Sequence, residues 1–222
     1  MSASTSLASK LLRKGRVWLL MAVGVGAALA GRRAYELWNF NPFRQVGAQV
    51  DQLNGVAVYY NGGVDHCDGR NLAPDGYNLG IRHQCVEFVK RYYFEHLHHE
   101  MPDSYGNALE FFDPKLADGA FNSRRGLTQF SNGSASRPAA DDLLVFGRTW
   151  LNPYGHVAIV ARVGERSVEI VQQNPGPFGA SRETLALRNE DGRWWYDNRR
   201  VSGWLRKVPA GKAVTQSVSP DQ

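Results

Sequence analysis

The spacing of hydrophobic residues changes from a helical to a strand pattern in the second half of the chain. After Cys85, apolar residues recur at steps of three and four, which predicts a helix with one apolar face: Val86, Val89, Tyr93 and Leu97. Glu87 lies four residues before Arg91, which predicts an ion pair on the surface of this helix. Three later apolar runs predict strands: residues 142–146, 156–163 and 167–174. Helices followed by an antiparallel sheet predict an α+β fold.

Weaker patterns complete the outline of the chain. Residues 104–112 predict a second, shorter helix, whereas residues 113–140 show no regular pattern. The segments "RWWYD" and "GWLRKV" predict further strands. These elements place one folded domain at residues 53–208, after a linker at 31–52 and before a flexible tail at 209–222.

The N-terminus has the layout of an export segment. The basic stretch "KLLRKGR" precedes an apolar run from Val17 to Ala30, and "ALA" at its end offers a cleavage site. The run is shorter than the roughly 20 residues of a membrane span, which favours a signal peptide. Arg32 and Arg33 follow at once, which instead favours an uncleaved anchor. Residues 1–30 therefore predict a signal peptide or a membrane anchor, and a domain that is periplasmic or faces the cell wall.

The net charge of +5 arises mainly in this N-terminal segment. Outside residues 1–30, the remaining 22 basic and 21 acidic residues nearly cancel. A near-neutral domain lacks the basic stripe that binds phosphates, which excludes nucleic acid as the expected partner. Membrane contact is expected through the N-terminal segment only, and the sequence gives no indication of oligomeric state.

Cys85 stands where the predicted helix begins. A helix N-terminus carries partial positive charge and free N–H groups, which favour a reactive thiolate and can hold an oxyanion. Two other interpretations remain open. The chain has one other cysteine, Cys67, and an exported protein often pairs two such residues in a disulfide. Cys85 could also be a small apolar residue that packs under the helix.

His156 is the candidate base, because it opens an apolar strand beside a polar loop. A strand-end histidine with satisfied hydrogen bonds is the alternative. If "GER" is a three-residue turn, Asn174 lies opposite His156 and Gln172 shares its face of the hairpin. If the turn has two residues, Gln173 lies opposite instead. Either register places a neutral amide beside the imidazole.

The strings "GIRHQCVEFVKRYY", "GNALEFF", "RPAADDLLVF", "YGHVAIV" and "VEIVQQN" together resemble the CHAP family of cysteine, histidine-dependent amidohydrolases and peptidases, and within it the glutathionylspermidine amidase domains. The resemblance covers nearly the whole predicted domain. It implies a papain-like α+β fold in which Cys85 is the nucleophile and His156 the base. It also argues against the disulfide, since a nucleophile must be free.

One departure from the family pattern concerns the group that orients the histidine. The family usually has a glutamate near the end of the strand after the histidine, where this chain has Gln172. An amide can orient an imidazole but cannot stabilise an imidazolium by charge. Either Gln172 takes this role at lower strength, or Asn174 does.

Six further positions complete the expectations. Gln84 and Tyr77 flank the nucleophile and are candidates for substrate binding. Asp65 and Asp68 do not keep the spacing of a calcium-binding loop. His96 and His99, three residues apart, could bind a metal, but a solvated helix end is the expectation for them. No metal and no cofactor are expected.

The resulting prediction is an exported cysteine amidohydrolase or peptidase that cleaves an amide through a Cys85 thioester. Peptidoglycan peptides are the first candidate substrate, because export would bring the domain to them. A small peptide–polyamine conjugate is the alternative within this class. A catalytically weak binding module is the alternative from another class of function. The reason for considering it is that position 172 has a glutamine in place of a carboxylate.

Overall fold

The computed structural model describes residues 3–208, with side chains from residue 11 onward, so the predicted tail at 209–222 lies outside the described residues. The helices are α1 (Ala3–Leu37), α2 (Cys85–Glu95) and a short 3₁₀ helix at Ala108–Phe111. The strands are β1 (Gln49–Leu53), β2 (Val56–Tyr59), β3 (Arg70–Leu72), β4 (Asn78–Ile81), β5 (Phe121–Asn122), β6 (Leu127–Ser131), β7 (Leu143–Phe146), β8 (His156–Val163), β9 (Ser167–Val171), β10 (Arg182–Glu190), β11 (Arg193–Tyr196) and β12 (Val201–Arg206).

An eight-stranded antiparallel sheet forms the centre of the domain, in the order β11-β10-β9-β8-β7-β12-β6-β5. Two separate hairpins, β1–β2 and β3–β4, lie outside this sheet. The architecture is α+β, as predicted, with the helix that begins at Cys85 packed on an antiparallel sheet. Strand β8 lies between β7 and β9, and its first residue, His156, pairs with Phe146 of β7.

At the end of the β8–β9 hairpin that is nearer to His156, the strands pair in the register expected for a three-residue turn. Ile159 pairs with Val171 and Val160 with Ile170. A bulge at Ala161 then shifts the pairing by one residue toward the turn. Continuing the register from Ile159 and Val171 places Gln172 and His156 on one face.

Helix α2 packs between the central sheet and the two hairpins, in contact with β8, β4 and β2. Its aromatic residues Phe88, Tyr92 and Tyr93 are fully buried in one core cluster with residues of β7 and β8. The sequence predicted one apolar face, but the helix is buried nearly all round, including the polar residues Glu87 and Arg91. Tertiary packing therefore covers a face that the residue pattern assigned to solvent.

Several predicted elements differ from the observed ones. Residues 104–112 form only the 3₁₀ helix at Ala108–Phe111, which Asn107 caps through a reciprocal hydrogen-bonded box with Glu110. The stretch 113–140, predicted as irregular, contains β5 and β6. The predicted linker at 31–52 consists of the end of α1, a turn and most of β1. These short edge and hairpin strands have no apolar alternation of their own, because their partners supply the pairing.

Helix α1 is the one long helix among the described residues. Its segment Leu11–Leu37 is long and apolar enough to cross a membrane by length and composition. The side chains from Leu11 to Gly31 are exposed, whereas Glu36 near the end is buried.

Candidate active site

Cys85 is the first residue of α2 and lines a cleft of about 400 Å³. Gln84 before it is extended, with φ −80° and ψ 158°, so the chain enters the helix abruptly. The thiol contacts the backbone N–H of Val157, as well as the N–H groups of Cys85 and Val86. Because Val157 directly follows His156, this contact places the sulfur next to the peptide unit that carries the imidazole.

Burial decides the protonation of Cys85. The residue is 7% exposed, and burial raises the pKa of its thiol to about 11, although the neighbouring N–H groups act in the opposite direction. The helix N-terminus predicted a lowered pKa from the sequence, and this prediction is wrong for the resting site. The reason is that desolvation of the charged form outweighs the helix N–H groups here. The side chain of Cys85 is therefore a neutral thiol at neutral pH.

His156 is the first residue of β8 and is buried. Gly155 before it has φ 75°, and a Cβ there would lie 2.7 Å from the Phe146 carbonyl oxygen. The backbone of β7 and the start of β8 thus approach more closely than any other residue would allow. The imidazole packs at 5.9 Å from the ring of Phe146.

Gln172 holds the imidazole in one tautomer. Its Oε1 lies 2.9 Å from His156 Nε2. Its Nε2 donates to the carbonyl of Ala180 at 3.1 Å and faces the carboxylate of Glu183 at 3.4 Å. Since both outer partners only accept, the amide cannot be reversed, and its oxygen must face the ring. His156 Nε2 therefore carries the proton, and Nδ1 keeps the lone pair that a base needs.

The imidazole is neutral as well as oriented. Burial lowers the pKa of His156 to about 4, and the distant positive charge of Arg200 acts in the same direction. The hydrogen bond that His156 donates to Gln172 opposes this shift without reversing it. A carboxylate at that position would favour the imidazolium, so the neutral amide keeps the resting pair as thiol and imidazole.

Among the described residues, the imidazole forms its hydrogen bond with Gln172 and not with Asn174, which was the alternative orienting group. Asn174 Nδ2 donates to Gln84 Oε1 at 2.7 Å and to the Val64 carbonyl at 2.9 Å. Gln84 in turn donates to the carbonyl of His66 at 2.7 Å and lines the cleft. Asn174 therefore positions Gln84, and through it the entry to α2.

Gln173 has a different role from the one that the two-residue-turn alternative gave it. It is fully buried and donates to the Gln84 carbonyl at 3.0 Å and to Glu87 Oε2 at 2.8 Å. Its Oε1 accepts the N–H of Tyr59 at 2.7 Å. The side chain thus ties the end of β9 to the start of α2. The two-residue-turn alternative, which put Gln173 against the imidazole, is wrong.

Tyr77 was a candidate for substrate binding, but it does not line the cleft that contains Cys85. Its hydroxyl accepts the N–H of Met101 at 2.8 Å, and its ring stacks on Phe94 at 5.6 Å between centroids. The ammonium of Lys90 lies 4.7 Å from the ring centroid. These contacts give Tyr77 a structural role beside α2.

Cys67 and Cys85 are both free, the first exposed and the second buried. Within residues 3–208, no group of three or more His, Cys, Asp and Glu side chains has the geometry of a metal site.

Replacing Glu87 by alanine is expected to lower the free energy of unfolding by about 3 kcal/mol, because it leaves a buried guanidinium without its partner. Glu87 Oε1 accepts from Arg91 at 2.6 Å, and both side chains are at most 7% exposed. Urea denaturation measures the change. The exposed pair of Arg188 and Glu190 supplies the control, since Glu190→Ala should change stability by less than about 0.5 kcal/mol. Equal, small losses in both variants would contradict the assigned role of Glu87.

A thiol at a helix N-terminus, beside a sheet histidine held by an amide, defines the class of papain-like cysteine hydrolases. Residues 74–174 match the family model described as the CHAP domain. This part of the chain is thus similar to the CHAP domain, a cysteine amidohydrolase/peptidase domain.

Two curated relatives are similar to this chain. Trypanothione synthetase of Crithidia fasciculata is 29% identical over 142 residues, which cover 63% of this chain and 22% of that protein. The bifunctional glutathionylspermidine synthetase/amidase of Escherichia coli (strain K12) is 31% identical over 148 residues, which cover 61% of this chain and 23% of that protein. The chain thus spans less than a quarter of the length of these relatives.

Among solved structures, "The crystal structure of Ly7917" shares 18% identity with this chain. The match covers 56% of this chain and 53% of that one, with a TM-score of 0.32, which is too low to support an argument.

Proposed function

We propose that this protein is an exported hydrolase that cleaves an amide bond through a thioester at Cys85. The observation that carries the proposal is the fixed orientation of the Gln172 amide. It leaves the proton on His156 Nε2 and the lone pair on Nδ1, which is the arrangement that a general base requires.

In the first step, His156 Nδ1 accepts the thiol proton as Cys85 Sγ attacks the substrate carbonyl carbon. Both groups are neutral at rest, so the proton moves during the attack rather than before it. The carbonyl oxygen becomes an oxyanion beside the N–H groups of Cys85 and Val86, at the free end of α2.

In the second step, the C–N bond breaks and the imidazolium returns its proton to the leaving amine, which leaves the acyl group on sulfur. A water molecule then gives a proton to His156 and attacks the thioester. The C–S bond breaks, the thiol regains its proton, and the carboxylic acid is released. The histidine thus serves as base and acid once in each half of the reaction.

The cleft favours a peptide with a free carboxylate. Arg70 lines it, with its guanidinium 5.4 Å from the ring centroid of Tyr105 and hydrogen bonded to Asn78 at 2.9 Å. A guanidinium pairs bidentately with a carboxylate, and a stacked one keeps its outer N–H groups free for that purpose. Asp65 at the cleft wall is instead paired with Arg33.

Peptidoglycan peptides fit this description and the proposed export through the N-terminal segment. The names of the relatives support a second substrate, a peptide–polyamine conjugate of the glutathionylspermidine type. The first is preferred because the apolar N-terminal helix would bring the domain to the cell wall.

Purified protein should release soluble peptides with new carboxyl and amino termini from peptidoglycan, and should release little spermidine from glutathionylspermidine. Mass spectrometry of the soluble fraction measures both reactions side by side. Cys85→Ala is the matched control and should release nothing from either substrate. Faster release of spermidine than of cell-wall peptides would contradict the preferred substrate.

The same assay separates the enzyme from a silent binding module. If the domain were such a module, the wild type and the Cys85→Ala variant would bind peptidoglycan equally well, and neither would release peptides. That outcome would contradict hydrolysis by this site.

A further inference from the structure

The end of helix α1 packs directly against the folded domain rather than being joined to it by a spacer. The carbonyl of Glu36 accepts the N–H of Asp65 at 2.8 Å, and the Glu36 side chain is 5% exposed. A Cβ on Gly63 would lie only 2.3 Å from that same carbonyl oxygen. The helix end therefore fits against a backbone position that only glycine allows.

Side-chain contacts extend this junction to the rim of the cleft. Arg33 Nη1 lies 2.5 Å from a carboxylate oxygen of Asp65, and Asp65 lines the cleft that holds Cys85. On the other side, the guanidinium of Arg32 lies 5.2 Å from the ring centroid of Trp150. A single ion pair thus separates the long apolar helix from the wall of the active-site cleft.

Exposed apolar side chains follow the helix end in the sequence, and others lie at and beside Trp150, which Arg32 of the helix contacts. We call this set of side chains the aromatic collar, and its members with their exposed fractions are Trp38 (64%), Phe40 (45%), Phe43 (93%), Trp150 (60%) and Leu151 (39%). Trp38 and Phe40 follow α1 directly, with ring centroids 6.4 Å apart. Exposed aromatic rings beside the end of an apolar helix, together with arginines, are typical of the membrane–water interface.

The length of the apolar segment brings the collar to that interface. Residues 17–31 of α1 extend about 22 Å at 1.5 Å per residue, which is shorter than the roughly 30 Å of a bilayer core. The shortfall pulls Arg32 and Arg33 to the headgroups and leaves no distance for the domain to stand away from the surface.

The docking of the helix end also argues against the predicted cleavage after Ala30. The "ALA" site lies inside the continuous helix Ala3–Leu37, within a few residues of the docked Arg32 and Arg33. Proteolysis favours flexible, exposed segments, and this one is helical up to a folded body.

We infer that α1 is retained and holds the active-site cleft against a phospholipid surface, with the aromatic collar in the headgroup region. The substrates would then be those peptidoglycan-type amides that are presented at the membrane, such as the peptide of a lipid-linked cell-wall precursor. This inference rests on the proposed export and hydrolysis, and it concerns where that site works.

Cys67 offers a reporter of position that does not depend on activity. It is exposed and lies two residues beyond Asp65 on the cleft rim. The full chain with Cys85→Ala would be labelled at Cys67 with an environment-sensitive fluorophore. The labelled protein would then be reconstituted into vesicles of phosphatidylethanolamine and phosphatidylglycerol. Quenchers attached to lipid headgroups should reduce the emission of this fluorophore at least twofold. The emission of a free dye dissolved in the same vesicle suspension should not change.

Variants of the collar and of the junction sharpen this test. Phe43→Ser and Trp150→Ser should restore at least half of the lost emission, whereas Phe121→Ser, an exposed phenylalanine on β5, should not. Gly63→Ala should restore it by displacing the helix end, and Gly31→Ala, with open space around it, should not. No quenching in vesicles that retain the intact chain would overturn the inference, as would a mature protein that lacks residues 1–30.

The activity arm uses one peptide amide in two forms, free and attached to a lipid in the same vesicles. The inference expects kcat/KM at least tenfold higher for the attached form, and equal values would overturn it. If neither form is cleaved but quenching persists, the proposed hydrolysis fails and the membrane placement stands.

Discussion

Replacing Cys85 by alanine should reduce amide hydrolysis by at least about 10,000-fold, because no other group in the cleft can form the thioester. The structure places this sulfur at the start of α2, in contact with the Val157 N–H and on the wall of the cleft. The residue is small and buried, so the alanine variant should fold normally. Steady-state kinetics with a peptide amide, combined with a thermal melt, measures both quantities.

Cys67→Ala is the matched control for this substitution. Cys67 is the other cysteine of the chain and is exposed, so its removal should change kcat by less than about twofold. Intact-mass detection of an acyl-enzyme should succeed with wild type and Cys67→Ala and fail with Cys85→Ala. Substantial activity in Cys85→Ala would refute the thioester mechanism outright.

The second large effect concerns Gln172. Gln172→Leu should lower kcat by about 100-fold or more with little change in KM, because the imidazole loses the partner that fixes its tautomer and orientation. Rescue by a polar residue distinguishes this positioning role from a structural one. Gln172→Asn or Gln172→Glu should keep more activity than Gln172→Leu, and equal stability of all three would rule out a folding effect.

The pH profile separates the amide from the family's usual carboxylate. The required form of His156 is neutral, and burial lowers the pKa of His156 to about 4. Activity should therefore persist as the pH falls below about 6 and be lost only as it passes through about 4. In Gln172→Glu, the new carboxylate favours the imidazolium, so the acid limb of kcat/KM should move to higher pH by about one unit or more.

The charge of Glu183 would act on the new carboxylate of the Gln172→Glu variant. The Glu183 carboxylate faces the Gln172 amide at 3.4 Å, so a glutamate at position 172 would meet a like charge there. The double variant Gln172→Glu with Glu183→Gln exchanges the amide and the carboxylate and restores a donor beyond residue 172. It should show the larger shift of the acid limb. An unchanged acid limb in both variants would contradict the assignment of His156 as the base.

The two cases of Gln172 and Asn174 show how far strand parity could predict the site. Parity placed both amides near His156, because alternate residues of a hairpin share a face. It could not choose between them, since β9 ends at Val171 and Asn174 has turned away with φ 56°. The bonds of Asn174 go to Gln84 and Val64, residues that lie far from it in the sequence.

For helix α2, the sequence predicted the helix and its ion pair but not which side chains are buried. Its spacing predicted a helix and an ion pair between Glu87 and Arg91, and both are present. The pattern also predicted that this pair faces solvent, whereas the hairpins β1–β2 and β3–β4 cover it. Gln173 and Asn71 bind the buried carboxylate, and no local pattern indicates contacts that come from elements so distant in the chain.

The sequence by itself determined the α+β order of elements, the start of α2 at Cys85, the start of β8 at His156 and the presence of amides on the hairpin. These features depend on local spacing and on strand parity, which are properties of neighbouring residues. Only the tertiary structure decided that Gln172 holds the imidazole, that the thiol of Cys85 is neutral at rest and that α1 docks beside the cleft. The reason is that orientation and desolvation depend on which distant segments enclose a side chain, and that enclosure exists only in the folded chain.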